Sequence, residues 1–166
     1  MTIAYALLWQ LAWFAAILGA ARDLPWLGPV AALPALILAY RLQPALSLRL
    51  GILALCLGWI VDGLLGLSGL AIFRAGPLDG RLPPPWMLTL WALYALAFLA
   101  CLGWALKFRW LPPLLAALSA PGAYLGGAAL GALVLPADRF LTIVAIAVGY
   151  GLATTLLIRS IPKAAP

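Results

Sequence analysis

The sequence contains no histidine, and its four acidic residues are all aspartates, so glutamate is missing as well. Without histidine, the chain cannot build a His-ligated haem, di-iron or zinc centre, nor a Ser-His or Cys-His nucleophile pair. The two cysteines, Cys56 and Cys101, do not form a CxxC motif, and no Walker-type or GxGxxG phosphate loop is present. We therefore expect no metal and no cofactor, and a function limited to binding or modest acid-base chemistry.

Charged residues are also scarce, at 8% of the chain, whereas an ordinary soluble domain carries roughly a quarter. Hydrophobic residues make up 67%, which indicates a membrane protein. The length of 166 residues and the lack of a polar linker predict a single transmembrane helical domain over residues 1–166. The scattered cations exclude nucleic acid as a partner. The expected partners are membrane lipids, a small hydrophobic ligand or other membrane proteins.

Six apolar segments lie between the polar breaks of the sequence. A helix of about 20 apolar residues crosses a hydrocarbon core of about 30 Å, so each segment is a candidate span. We expect an all-α, six-helix transmembrane bundle whose spans cover 3–21, 26–40, 50–73, 86–106, 113–135 and 140–158. The second segment is short and contains Pro29 and Pro34, which predict a kink or a partial crossing because proline removes a helix hydrogen bond.

The positions of lysine and arginine predict the orientation, because these residues accumulate in cytoplasmic loops. With the N-terminus inside, the cytoplasmic segments hold Arg41, Arg49, Lys107, Arg109, Arg159 and Lys163. The outer loops then hold Arg22, Arg74, Arg81 and Arg139, together with every loop aspartate. This bias predicts a multi-pass protein of the bacterial inner membrane with both termini in the cytoplasm.

One carboxylate lies inside an apolar segment, in the run GWIVDGLLG around Asp62. Twelve residues into the predicted third span, at about 1.5 Å per residue, Asp62 is expected near the middle of the bilayer. A charged group there costs about 2.5–3.5 kcal/mol on insertion scales, so it is expected to face the inside of the bundle. Intramembrane ionisable residues are functional by default, which makes Asp62 the best candidate for a catalytic residue.

Glycines share the helical face of Asp62. Gly51, Gly58, Gly66 and Gly69 are spaced so that they form one stripe with it, and small residues let another helix approach closely. The fifth segment, SAPGAYLGGAALG, has small-xxx-small pairs of its own and is the expected neighbour. If both segments run outward, Tyr124 lies at nearly the depth of Asp62, so its hydroxyl is the expected hydrogen-bond partner.

The remaining polar groups within the apolar segments are few. Our hypothesis is that Asp62, Tyr124 and Gln10 line one polar ligand-binding pocket, with Tyr150 or Tyr94 nearby. The alternative is that Asp62 only holds two helices together through a hydrogen bond worth about 1 kcal/mol. The glycine pairs are in the first place packing devices.

Four stretches resemble a bacterial inner-membrane family catalogued as domain of unknown function 2878. These are QLAWF, LGWIVDGLLG, PPPWMLTLW and APGAYLGGAALGA, which together cover most of the chain. The family pattern has a glutamine, the aspartate, a proline-tryptophan pair and a Gly-Pro-x-x-Tyr-type segment in this order. Here Pro121 precedes Gly122, and Ala97 and Phe98 stand where the family carries small polar residues. The resemblance implies a role in membrane-lipid modification or envelope stress, since its members are often encoded near cyclopropane-fatty-acid synthase.

A weaker resemblance concerns the run PPPWMLTLWALYALAF, which is similar to the tryptophan-rich sensory or translocator protein family. That resemblance implies a bundle that binds porphyrins or sterols. The intervals between tryptophan and tyrosine are each one residue shorter here.

Three functions from different classes remain open. The first is an accessory protein or enzyme of membrane-lipid modification, in which Asp62 donates or shuttles a proton. The second is a binder of a small hydrophobic molecule or a transport subunit. The third is a non-catalytic membrane scaffold that positions partners through its glycine faces.

Overall fold

The computed structural model of the chain describes residues 2–136 and 138–162, and these residues are mostly helical. In chain order, the helices are α1 (Thr2–Ala21), α2 (Leu27–Leu42), α3 (Pro44–Leu67), the one-turn α4 (Pro77–Gly80), α5 (Pro85–Ala100), α6 (Leu111–Ala129) and α7 (Phe140–Arg159). A 3-10 turn, Gly103–Lys107, lies between α5 and α6. Two short strands, β1 (Ile72–Phe73) and β2 (Leu133–Val134), pair antiparallel.

Each of the six predicted apolar segments contains one long helix, which confirms the all-helical class. Among the described residues, α1, α3 and α7 are long and apolar enough to cross a membrane. The helices α2 and α5 are apolar but shorter, and Pro34 lies inside α2 as expected. The length and apolar composition of these helices indicate a membrane protein.

The boundaries of α3 and α6 differ from those predicted, because glycine ends both helices early. Gly69 and Gly131 have φ of 75° and 86°, the left-handed conformation that glycine adopts without a steric penalty. Each forms a Schellman motif: Leu70 N–H donates to Leu65 O, and Ala132 N–H donates to Gly127 O. The residues after each glycine then form β1 and β2 instead of continuing the helix.

The start of α3 also differs from the prediction. Pro44 begins the helix only one residue after α2 ends, since proline at the first helical position needs no N–H partner. Asp62 therefore lies 18 residues into α3 and five residues before its end, or about 7.5 Å from that end. Asp62 is thus not at the centre of α3, because the helix is shifted toward the N-terminus. Its depth in the bilayer stays a prediction.

Small residues bring the backbones of neighbouring helices together, but the pairs differ from those expected. Two glycines of the α3 stripe pack on α5 and on the loop before it: a Cβ added to Gly58 would lie 2.5 Å from Trp91 Cγ, and one added to Gly66 would lie 2.7 Å from the carbonyl carbon of Arg81. In α6, a Cβ added to Gly127 would lie 3.5 Å from Ile17 in α1. The expected glycine packing of the third segment on the fifth is therefore wrong, since α3 packs on α5 and α7, while α6 packs on α7.

The loops after α1 and β1 are joined at the end of the molecule where α1 and α3 terminate. Arg74 Nε donates to Asp23 Oδ1 at 3.2 Å, and Trp86 Nε1 donates to the Arg74 carbonyl oxygen at 3.0 Å. The hydrogen bond to Asp23 and the negative charge of Asp23 raise the pKa of the exposed Arg74 guanidinium. The contacts fix the start of α5 relative to the β1–β2 pair.

The close approach at Gly66 yields a stability prediction. Gly66→Ala should lower the free energy of unfolding by about 1–3 kcal/mol, because the added methyl group would overlap the backbone of Arg81 and neither backbone can move easily. Gly51→Ala is the matched control on the same helix, since an added Cβ there meets nothing within 4 Å. Thermal unfolding in detergent, followed by circular dichroism, measures both variants. Equal stability of the two variants would contradict the packing described for α3.

Candidate functional site

Asp62 is fully buried and accepts hydrogen bonds at both of its carboxylate oxygens. Trp91 Nε1 of α5 donates to Asp62 Oδ2 at 2.8 Å, and the Tyr124 hydroxyl of α6 donates to Asp62 Oδ1. One aspartate thus joins three helices. Within the described part of the chain, no buried side-chain nitrogen or oxygen lacks a hydrogen-bond partner, so this polar core is fully satisfied.

The helix ends explain why Asp62 and Tyr124 meet. Asp62 lies seven residues before the left-handed Gly69, and Tyr124 lies seven residues before the left-handed Gly131. Ile72 lies three residues after Gly69 and Val134 three residues after Gly131, and these two residues pair in the ladder. Because both helices end in the same motif beside the same ladder, the two side chains have the same depth.

Further aromatic side chains extend the polar core toward α7. The Tyr150 hydroxyl lies 3.4 Å from the Tyr124 hydroxyl, and the Tyr150 ring stacks on Trp91 with ring centroids 4.4 Å apart. The Tyr94 hydroxyl of α5 is 2.8 Å from Thr154 Oγ1, and Thr154 in turn donates to the Tyr150 carbonyl oxygen. Hydrogen bonds therefore link the helices α3, α5, α6 and α7 at this depth.

A cavity of about 200 Å³ lies beside this network, between α1, α5, α6 and α7. We call it the aromatic cavity, because its lining includes Trp9, Trp13, Trp91, Tyr94, Tyr124 and Tyr150. The remaining lining is apolar apart from Ser119. Asp62 does not belong to the lining; it lies behind Trp91 and Tyr124 and holds both against the cavity wall.

Tyr124, Tyr150 and Tyr94 therefore lie together at the cavity, and Asp62 lies directly behind them. The expectation that Gln10 shares this pocket is wrong, because Gln10 is exposed on α1 and does not line the cavity. One residue corresponds to about 100° around a helix, so the neighbour Trp9 faces the cavity instead. Whether these side chains bind a ligand stays a prediction.

Three tryptophans that line the cavity were not predicted from the sequence as site residues: Trp9, Trp13 and Trp91. A signal was present, since Trp9, Trp13 and Ile17 are spaced by four residues and form one helical stripe. This spacing also occurs in helices that only pack on neighbours, and so it does not distinguish a cavity wall from a core.

The available chemistry is narrow. The cavity offers phenol hydroxyls, one serine hydroxyl and the faces of aromatic rings. In residues 2–136 and 138–162, no group of three or more His, Cys, Asp or Glu side chains could hold a metal ion. The arrangement suits apolar surface and one or two hydrogen bonds to a bound molecule.

Substitutions of Asp62 test the satisfied network. Asp62→Ala should lower the free energy of unfolding by about 2–5 kcal/mol, because the Trp91 and Tyr124 donors are both left buried without an acceptor. Asp62→Asn should cost less than about 1.5 kcal/mol, because the amide oxygen still accepts from Trp91 while its NH₂ group donates to the Tyr124 oxygen. Unfolding in detergent is the measurement, and Asp79→Asn on the short helix α4 is the silent control, because Asp79 is exposed. Similar losses for Asp62→Ala and Asp62→Asn would refute this account.

Comparison with known proteins gives one match. No curated protein and no solved structure matches the chain. The family model described as "Protein of unknown function (DUF2878)" matches residues 2–156, which is nearly the whole chain. The similarity to the tryptophan-rich sensory or translocator family is then not needed to explain the sequence. The chain belongs to the DUF2878 family of proteins of unknown function.

Proposed function

We propose that this protein is a membrane protein that binds a small hydrophobic molecule in the aromatic cavity. The observation that carries the proposal is the cavity itself, an open space walled by six aromatic side chains from four helices. Well-packed helical proteins contain few voids larger than a water molecule. A cavity with apolar walls and a few hydroxyl groups is the common form of a small-molecule site.

The volume limits what can bind. An engineered apolar cavity of about 150 Å³ binds benzene, whereas drug-sized ligands occupy pockets of roughly 300–1,000 Å³. The aromatic cavity, at about 200 Å³, therefore holds a molecule of one or two rings, or one segment of a longer chain. The rings of Trp91, Tyr94 and Tyr150 favour a flat or unsaturated group, because such groups stack on aromatic faces.

Asp62 supports binding without touching the ligand. Its two oxygens orient the Trp91 indole and the Tyr124 hydroxyl, both of which line the cavity. In this proposal Asp62 is a positioning residue, and the tyrosine hydroxyls make the polar contacts to the ligand. A carboxylate placed behind the wall keeps the rotamers of both side chains fixed, which reduces the entropy lost on binding.

The proposed arrangement in the membrane has six spans, formed by α1, α2, α3, α5, α6 and α7. Six crossings place both termini on the same side, and the excess of lysine and arginine at that end favours the cytoplasm. The partners in this arrangement are the lipids of a bacterial inner membrane.

A second candidate function is the modification of a membrane lipid. The observation that favours it is the chain of hydroxyl groups from Asp62 through Tyr124 to Tyr150, which connects a buried acid to the cavity. Such a chain could pass a proton between Asp62 and a bound lipid. In this case Asp62 is required for activity and not only for the shape of the cavity wall.

Filling the cavity tests the first candidate. Ala120 is buried and lines the cavity, so Ala120→Phe should occupy the space that a ligand needs. Bromonaphthalene is a suitable ligand, because its heavy atom quenches the fluorescence of Trp9, Trp13 and Trp91 when it binds beside them. Wild-type protein in detergent should show saturable quenching, and Ala120→Phe should weaken the binding at least about tenfold.

Leu118→Phe is the matched control on the same helix, since Leu118 is 70% exposed and does not line the cavity. This control should bind bromonaphthalene as the wild type does. Quenching that never saturates, or that saturates equally in Ala120→Phe, would rule out the cavity as the binding site.

Lipid profiling separates the second candidate from the first. If the protein modifies lipids, deletion of its gene changes the lipid composition of the host membrane, and an Asp62→Asn strain shows the same change because the amide cannot exchange a proton at neutral pH. The Tyr94→Phe strain is the control, because Tyr94 lines the cavity but lies outside the Asp62–Tyr124–Tyr150 chain. A normal profile in the Asp62→Asn strain would exclude the proton-transfer role.

A further inference from the structure

A second cavity, of about 550 Å³, lies at the end of the molecule where α1 begins and α7 ends. We call it the basic cavity, because Lys107 and Arg109 line it together with Thr2, Cys101 and Trp104. Its walls come from the start of α1, the end of α5 and the segment between α5 and α6. No part of the function proposed above uses this space.

The two cavities lie on the same faces of the same two helices. Thr2 in the basic cavity and Trp9 in the aromatic cavity are seven residues apart on α1, which is two helical turns. Cys101 and Tyr94 are also seven residues apart, at the end of α5. The cavities are therefore stacked along the bundle, about 10 Å apart at 1.5 Å per residue.

The charged residues of the basic cavity favour the binding of an anion. Among the described residues, its lining contains two cations and no carboxylate. Arg109 is held in place, because its guanidinium donates to the carbonyl oxygens of Ile158 and Ile161 at the end of α7. Lys107 is exposed, and the described part of the chain gives it no salt bridge. The Lys107 ammonium is thus available to a negatively charged group.

The aromatic cavity also reaches the surface of the bundle. Ser119 and Ala123 line it and are nevertheless exposed, so an opening lies along this side of α6. At the other end of α6, α1 closes the gap, since a Cβ added to Gly131 would lie 3.6 Å from Ala21. Ser119 and Ala123 are at the middle of α6, so the opening lies between this closed end and the end of α6 that begins beside Arg109 of the basic cavity.

We propose that the ligand is a single-chain amphiphile with a phosphate head, bound across both cavities. Lys107 and Arg109 hold the phosphate, and the hydrocarbon chain enters the aromatic cavity through the opening at Ser119 and Ala123. This inference rests on the proposed binding function and names its substrate class. Phosphate suits the site because each of its oxygens can accept a charge-assisted hydrogen bond. An apolar chain suits the walls beside Trp9 and Trp13.

Native mass spectrometry of the protein in detergent can test this with three compounds. Dodecyl phosphate carries both the head and the chain, dodecanol carries the same chain without the charge, and inorganic phosphate carries only the head. Dodecyl phosphate should bind at least about tenfold more tightly than dodecanol, because the alcohol lacks the charged head that Lys107 and Arg109 hold. Inorganic phosphate at the same concentration should not displace dodecyl phosphate.

Two variants assign the two halves of the site. Lys107→Gln should reduce the preference for dodecyl phosphate over dodecanol to about threefold or less, with little effect on folding because Lys107 is exposed. Arg81→Gln is the control, since Arg81 is an exposed cation that does not line either cavity. Ala120→Phe should weaken both dodecyl compounds, because it fills the space for the chain.

The outcomes separate the two proposals. If the wild type binds the two dodecyl compounds equally, the proposal that the ligand has a phosphate head is wrong. The same holds if Lys107→Gln still prefers dodecyl phosphate over dodecanol as strongly as the wild type does. Binding to the aromatic cavity still stands in that case, provided that Ala120→Phe weakens both compounds. If Ala120→Phe weakens neither, the binding function and this inference both fail. Displacement of dodecyl phosphate by inorganic phosphate would show that the basic cavity binds a free anion, and it would contradict the proposal that the ligand is an amphiphile.

Discussion

The structure depends on one buried acceptor, the carboxylate of Asp62, which satisfies two donors from two other helices. An unpaired donor or acceptor inside an apolar bundle is costly, so Asp62, Trp91 and Tyr124 constrain one another. Their helices, α3, α5 and α6, must keep a fixed depth and rotation for both hydrogen bonds to form. Tyr150 and Tyr94 complete the network on α7 and α5, and the aromatic cavity lies directly beside it.

Glycine serves two separate purposes around this core. Gly58 and Gly66 lie inside α3 and let α5 and its preceding loop come close, which brings Trp91 to Asp62. Gly69 and Gly131 end their helices in the left-handed conformation and start the two paired strands. The first pair sets the distance between helices and the second sets their depth, so the position of the acid relative to Tyr124 depends on both.

The charged groups of the protein lie apart from the apolar surface of the aromatic cavity. Asp62 stays behind the wall, and the surfaces open to a ligand are aromatic rings and hydroxyl groups. Lys107 and Arg109 supply positive charge at the end of the bundle, two helical turns from Trp9 along α1. In the proposed complex, the aromatic cavity holds the apolar chain and the charged head stays at Lys107 and Arg109, so the ligand brings no charge into the hydrocarbon region.

Much of this protein could be predicted from local sequence. Hydropathy predicted the membrane class and the six apolar helices, and counting residues along the third and fifth segments placed Tyr124 near the depth of Asp62, because hydropathy and helical rise are properties of one segment. Tertiary structure decided the rest. Trp91 became the second donor and Gln10 turned outward, since a period defines a face of a helix but not the neighbour that the face meets. Which helix becomes that neighbour depends on how closely whole helices can pack, and the sequence of a single segment does not specify this.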